Sequence, residues 1–66
     1  MAHPDTSWRV AAIHRCCIRY GKSREWAEQE MLKVFGRFSN ARNTVSIWWR
    51  SRHFQEERAR YGHANA

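Results

Sequence analysis

Three glycines set the frame of this chain. Gly21, Gly36 and Gly62 each follow a stretch with helical apolar spacing, at the point where a helix C-cap falls. The one proline, Pro4, lies ahead of the first stretch and is followed by Asp5, Thr6 and Ser7, all good N-cap residues. This punctuation predicts three helices, at about 7–20, 23–35 and 41–60, with loose tails at 1–5 and 62–66. No alternating strand pattern, internal repeat or low-complexity run competes with it. The expectation is an all-α fold, a compact three-helix single domain over residues 1–66.

The apolar spacing assigns faces. In the first helix Trp8, Ala12, Cys16 and Tyr20 recur every four residues, with Ile13 and Cys17 beside them, and Arg9, Arg15 and Arg19 take the rest. Ser23 is the expected cap of the second helix, whose stripe is Ala27, Met31, Val34 and Phe35, with Trp26 at the entry corner. Glu25, Glu28 and Glu30 lie early in it, where the macrodipole favours anions. Asn40, Asn43 or Thr44 would cap the third. There Val45, Trp48, Trp49 and Arg52 fall at i, i+3, i+4 and i+7 and turn one aromatic face inward, leaving Ser46, Ile47, Arg50, Ser51 and Phe54 elsewhere.

A chain of 66 residues has little core to spare, since one this short buries only about 60% of the surface its unfolded form exposes. Large multidomain enzymes, barrels and doubly wound sheets are excluded. Leu, Ile, Val and Phe number only ten, but four Trp, three Phe and two Tyr bring the bulk that a small aromatic core needs. Cys16 and Cys17 are adjacent and alone, so no disulfide framework is available, which fits a reducing compartment. The longest apolar run, Val10 to Ile13, is far short of a signal core or a membrane span, so a cytoplasmic chain with no membrane partner is expected.

Charge points to an anionic partner. Twelve Lys and Arg against six Asp and Glu give +6, and ten of the twelve are Arg, the residue suited to bidentate phosphate contacts. Residues 6–24 hold five cations and no acid, and residues 31–55 hold another five and no acid. Such segregation suits docking along a phosphate backbone.

The segment Val45-Ser46-Ile47-Trp48-Trp49-Arg50-Ser51-Arg52-His53 resembles the recognition helix of homeodomains, whose pattern is Val/Ile, any residue, Ile/Val, Trp, Phe, variable, Asn, Arg, Arg. Tyr20, Trp26, Val34, Phe35 and Phe38 extend the resemblance, more thinly, with no insertion between Tyr20 and Trp48. It implies a trihelical helix-turn-helix, homeodomain-like or Myb-like, that places helix three in the major groove of double-stranded DNA as a transcriptional regulator. By resemblance the base-facing set is Ile47, Arg50, Ser51 and Phe54. Arg15, Arg19, Arg42, Arg52 and His53 are the expected phosphate contacts. Val45, Trp48 and Trp49 anchor the helix from behind. The sequence departs from the family at Ser51, which stands for the adenine-reading Asn, and at His53, which stands for Arg. No Arg-rich arm precedes helix one, so no minor-groove arm contact is expected.

Other chemistry finds less purchase. His14 and Cys17 are three apart on a helix but have no orienting third group, and no catalytic role is expected. His14, Cys16, Cys17 and His53 match no metal knuckle, since adjacent cysteines on one helix point about 100° apart. His3 and His63 are read as bystanders, and neither metal nor cofactor is expected. A second reading is a small helical protein that binds and modulates another protein through exposed aromatic and Arg residues such as Phe54 or Trp26. RNA binding is a third. Small helix-turn-helix proteins often dimerise on two half-sites, which leaves room for a homodimer, although no heptad seam marks one.

Overall fold

A computed structural model describes residues 6–63. Four helices, α1 (Ser7–Arg19), α2 (Arg24–Phe35), α3 (Ala41–Trp49) and α4 (Arg52–Arg60), make up the described chain, and no strand occurs among the described residues. The all-α class therefore holds, with four helices where the sequence predicts three. The expected tail at 1–5 and residues 64–66 lie outside the described residues.

The local signals act as their chemistry requires. Ser23 Oγ accepts the Trp26 N–H at 3.0 Å and caps α2. Gly36 closes the same helix at φ +95° and donates its N–H to the Leu32 carbonyl at 2.7 Å. The start of α3 is tied by Ser39 rather than by an Asn or Thr side chain: Ser39 Oγ accepts from the Ala41 N–H at 3.3 Å and donates to the Gly36 carbonyl at 2.6 Å.

The break at Arg50–Ser51 separates α3 from α4. Ser51 takes an extended backbone, φ −62° and ψ 132°, and caps α4 by accepting the Phe54 N–H at 3.4 Å. Gln55 Nε2 donates to the Trp49 carbonyl at 2.6 Å and satisfies the end of α3. The cause lies in the angular positions of the large residues. At about 100° per residue, an unbroken helix would hold Phe54 roughly 180° from Val45, on the solvent side. The break turns α4 so that Phe54 enters the core, where it is 1% exposed.

That core consists of Ile13 and Cys17 from α1, Ala27 and Met31 from α2, Ala41, Val45 and Trp49 from α3, and Phe54 from α4. Phe54 sits at the hub of an aromatic cluster, with its ring centroid 4.9 Å from those of His14 and Trp48 and 5.0 Å from that of Trp49. Four residues expected to face inward do not. Trp8 and Tyr20 are exposed, because α1 turns the Ile13–Cys17 row rather than the Trp8–Tyr20 row towards its neighbours. Phe35 is 47% exposed at the end of α2, and Arg52 points to solvent from the first turn of α4.

Arg58 joins α4 to the end of α1. It is 7% exposed, its Nη1 donates to the carbonyls of Cys17 at 2.8 Å and Lys22 at 3.0 Å, and its guanidinium lies 4.6 Å from the Trp49 ring centroid. The Cys17 carbonyl is one of the last four of α1, which lack intrahelical partners, and a cation at a helix C-terminus is favoured by the dipole. His63 completes this junction. Its Nε2 lies 3.1 Å from the Arg19 carbonyl, and since a carbonyl only accepts, that nitrogen is the donor. The chain at position 63, expected to be loose, is thus docked on α1.

Candidate nucleic-acid interface

The site is built on α3. Ala41, Val45 and Trp49, at i, i+4 and i+8, are buried and fix one side of the helix against the core. Asn43, Ile47 and Arg50, at i, i+4 and i+7, form an exposed row on another side, with Ile47 57% exposed. No acid occurs in α3. Arg50 Nε donates to the Ser46 carbonyl at 3.2 Å, which pins the base of the guanidinium, and its ends have no ion pair among the described residues. The row therefore presents an amide, an aliphatic group and an oriented cation side by side.

The structure places the other expected contacts unevenly. Ile47 and Arg50 share the exposed row. Ser51 lies at the break, where its hydroxyl accepts the cap bond of α4. Phe54 is a correction: expected on the outward, base-facing side and as an exposed anchor, it is buried, because α4 does not continue the axis of α3. Arg42 is exposed near the α2 acids, bordering a polar hollow with Glu25, Glu28 and Glu30. Arg52 pairs with Glu56 at 2.9 Å with its side chain 93% exposed, a pair of the kind worth about 0.3–0.5 kcal/mol. His53 is exposed beside it. Arg15 and Arg19 stand together on α1, away from the α3 row.

The capping tendency of Asn43 hides its place in this exposed row when the sequence is read alone. Its signal was the spacing of four to Ile47 and seven to Arg50. Arg58 also went unread, since nothing in its local sequence distinguishes a buried arginine from an exposed one.

Charge is distributed by local pairing. Arg24 with Glu28, Lys33 with Glu30 and Arg60 with Glu57 form further exposed pairs within one helical turn, at 3.3, 2.9 and 2.8 Å. Arg9, Arg15, Arg19, Arg42 and Arg50 have no ion pair among the described residues. The basic character of the surface rests on them and on Lys22 and Arg37, which lie over the rings of Trp26 and Phe38 at 5.4 and 5.2 Å.

Two titratable groups are displaced from their ordinary ranges. Burial, and secondarily the neighbouring His53, holds the His14 imidazole below its usual value of 6.5. Burial pushes the Cys17 thiol up to about 11, against the opposing pull of Arg58. A thiol so placed stays protonated and is a poor nucleophile. Among the described residues no three or more His, Cys, Asp or Glu gather as a metal site would require, and no helix is long and apolar enough to cross a membrane.

Beside α3 runs a groove of about 890 Å³ between α1 and the α3–α4 unit, with Val10, His14 and Ile18 on one wall and Trp48 and Tyr61 on the other. The Trp48 indole N–H is enclosed and meets no acceptor among the described residues. In comparison with known proteins, no family model, no curated protein and no solved structure matches the chain.

Proposed function

We propose that this protein binds double-stranded DNA as a helix-turn-helix module and acts as a transcriptional regulator, with α2 and α3 as the motif and α3 presented to the major groove. The supporting observation is the exposed, acid-free row Asn43, Ile47 and Arg50 on a helix whose opposite side is anchored by Val45 and Trp49. Its chemistry matches base edges: an Asn amide for adenine N6 and N7, an Arg fork for guanine O6 and N7, and an aliphatic side chain for a thymine methyl. With its side chains an α-helix is about 10–12 Å across, close to the 12 Å width of the major groove. Arg42 in the first turn of α3, and Arg52 and His53 just beyond its end, serve as phosphate contacts in this reading, and the formal charge of +6 supplies the attraction.

The test is fluorescence anisotropy against random-sequence duplex DNA at about 50 mM salt and upwards, with selection and sequencing of the bound fraction. Arg50→Ala is expected to cost about 1–3 kcal/mol and relax preference at one base position, whereas Arg42→Ala weakens all sequences alike and makes the salt slope shallower by about one. Absence of duplex binding at low salt refutes the proposal.

A further inference from the structure

We propose that the groove between α1 and the α3–α4 unit is a docking site for an acidic amphipathic helix of a partner protein. The inference goes beyond DNA binding and stands on a different face of the molecule. Its basis is a pair of parallel rows on α1. Val10, His14 and Ile18 recur at i, i+4 and i+8 and form an apolar strip along the groove, and Arg15 and Arg19, each one position further on, form a cationic strip beside it.

Neither strip is fully covered within the described chain: Val10, His14 and Ile18 are half-buried, packed on the core along one side, and Arg15 and Arg19 are exposed. Trp48 forms the far wall, its ring centroid 5.1 Å from that of His14, and α1 makes no close backbone approach to α3, so the outer edge of the strip stays open to the groove. Arg15 and Arg19 have no ion pair among the described residues, and α1 contains no acid. Glu57, the one acid among the described residues that line the groove, is already held by Arg60 at 2.8 Å. The unanswered charge on this rim is positive.

The shape argues for a helix over a small anion. From Val10 to Ile18 the strip runs about 12 Å at 1.5 Å per residue, a little over two turns. Val10 and Phe35 also border a second hollow of about 330 Å³, lined on its other side by Ser39 and Thr44. A long, open, apolar-floored channel takes the apolar face of a helix with anchors at i, i+3, i+4 and i+7. Charge argues against a second copy of this chain, which would bring another +6 onto a rim whose free charges are already cations.

The experiment uses the full chain and synthetic helical peptides. One peptide carries Leu and Phe at i, i+3, i+4 and i+7 with Glu on the flanks. A second keeps the apolar pattern with Lys on the flanks, and a third has the acidic composition scrambled. Anisotropy is expected to show saturable binding of the acidic peptide, at least about tenfold tighter than either control, and the double variant Arg15→Gln, Arg19→Gln to lose about tenfold, the sum of two partly exposed charge pairs. Ala11→Trp, at an exposed α1 position lining the groove, tests steric blockage, with a thermal melt to confirm that the variant is folded. In amide and indole NMR spectra the shifts should fall on Val10, His14, Ile18 and Trp48. Equal binding of the scrambled peptide, or shifts confined to other faces, overturns the proposal. So does concentration-dependent broadening of the same resonances in the protein alone, which would assign the groove to a second copy, and so does saturation by decanoate with the same shifts and higher affinity than the peptide, which would assign it to a small apolar anion. The assay contains no nucleic acid, so its failure and a failure of DNA binding are separate results.

Discussion

Replacing Phe54 by alanine removes a ring that is 1% exposed and lies within 5.0 Å, centroid to centroid, of three other rings. Truncating a buried Phe to Ala costs about 3–5 kcal/mol from lost burial and the cavity left behind. The upper part of that range applies here, because edge and tilted ring contacts add about 0.5–1.5 kcal/mol per pair beyond area. A domain of this size has of order 3–10 kcal/mol of total stability, so the variant should be largely or wholly unfolded at 37 °C. In a small domain each kcal/mol shifts the melting temperature by roughly 4–8 °C, so a drop of at least about 15 °C is expected for any fraction that still folds. Circular dichroism at the helical minimum, with heat and urea, reads both. Phe54→Leu, which keeps most of the volume, should recover most of the loss. If Phe54→Ala melts within a few degrees of the parent, α4 does not turn Phe54 inward, and the outward position expected from one continuous helix is restored.

Arg58→Ala leaves the Cys17 and Lys22 carbonyls without their donor and uncovers the Trp49 face, and a loss of about 2–4 kcal/mol in urea titration is expected. Arg58→Lys should recover only part, because an ammonium can donate to the two carbonyls but lacks the planar guanidinium that stacks on the Trp49 ring. Stability should fall on acidification below pH 6.5: His14 is held below that value in the folded chain, so the unfolded chain takes the proton first. The loss levels off once pH passes below the folded pKa, and in His14→Gln this component of the pH profile, read by melts between pH 7.5 and about 4.5, should disappear. Gly21→Ala should cost about 1–3 kcal/mol, since Gly21 has φ +66° and an added Cβ would lie 2.6 Å from His63 Nδ1. Pairing it with His63→Ala relieves the contact but not the backbone cost, and a full rescue in thermal melts would refute the backbone part of the argument.

Much of the helical framework was legible in the chain, because it depends on local chemistry. A serine hydroxyl caps the amides two and three residues ahead, and a glycine takes a positive φ at a helix end, wherever the rest of the molecule lies. Ser23 and Gly36 were readable for that reason, the inward pair Val45 and Trp49 followed from helical spacing, and the first three helices start close to where they were expected. The exposed row on α3 was half legible: Ile47 and Arg50 carried it through spacing, while the capping tendency of Asn43 masked its place in the same row.

Tertiary structure decided what local spacing leaves degenerate. On α1 two apolar rows compete, and the one containing Ile13 and Cys17 wins because Ala27, Met31 and Phe54 are there to cover it. The break at Arg50–Ser51 has the same origin. Between Val45 and Arg60 the sequence permits one long helix, but that helix would leave Phe54 in water and Arg58 far from the open end of α1. Arg58 reaches a carbonyl 41 positions earlier in the chain, a partner no local window contains. Where burying a phenyl ring and satisfying two carbonyls outweigh the few hydrogen bonds lost in a helix break, the chain turns, and the residue that spacing had placed outside becomes the centre of the core.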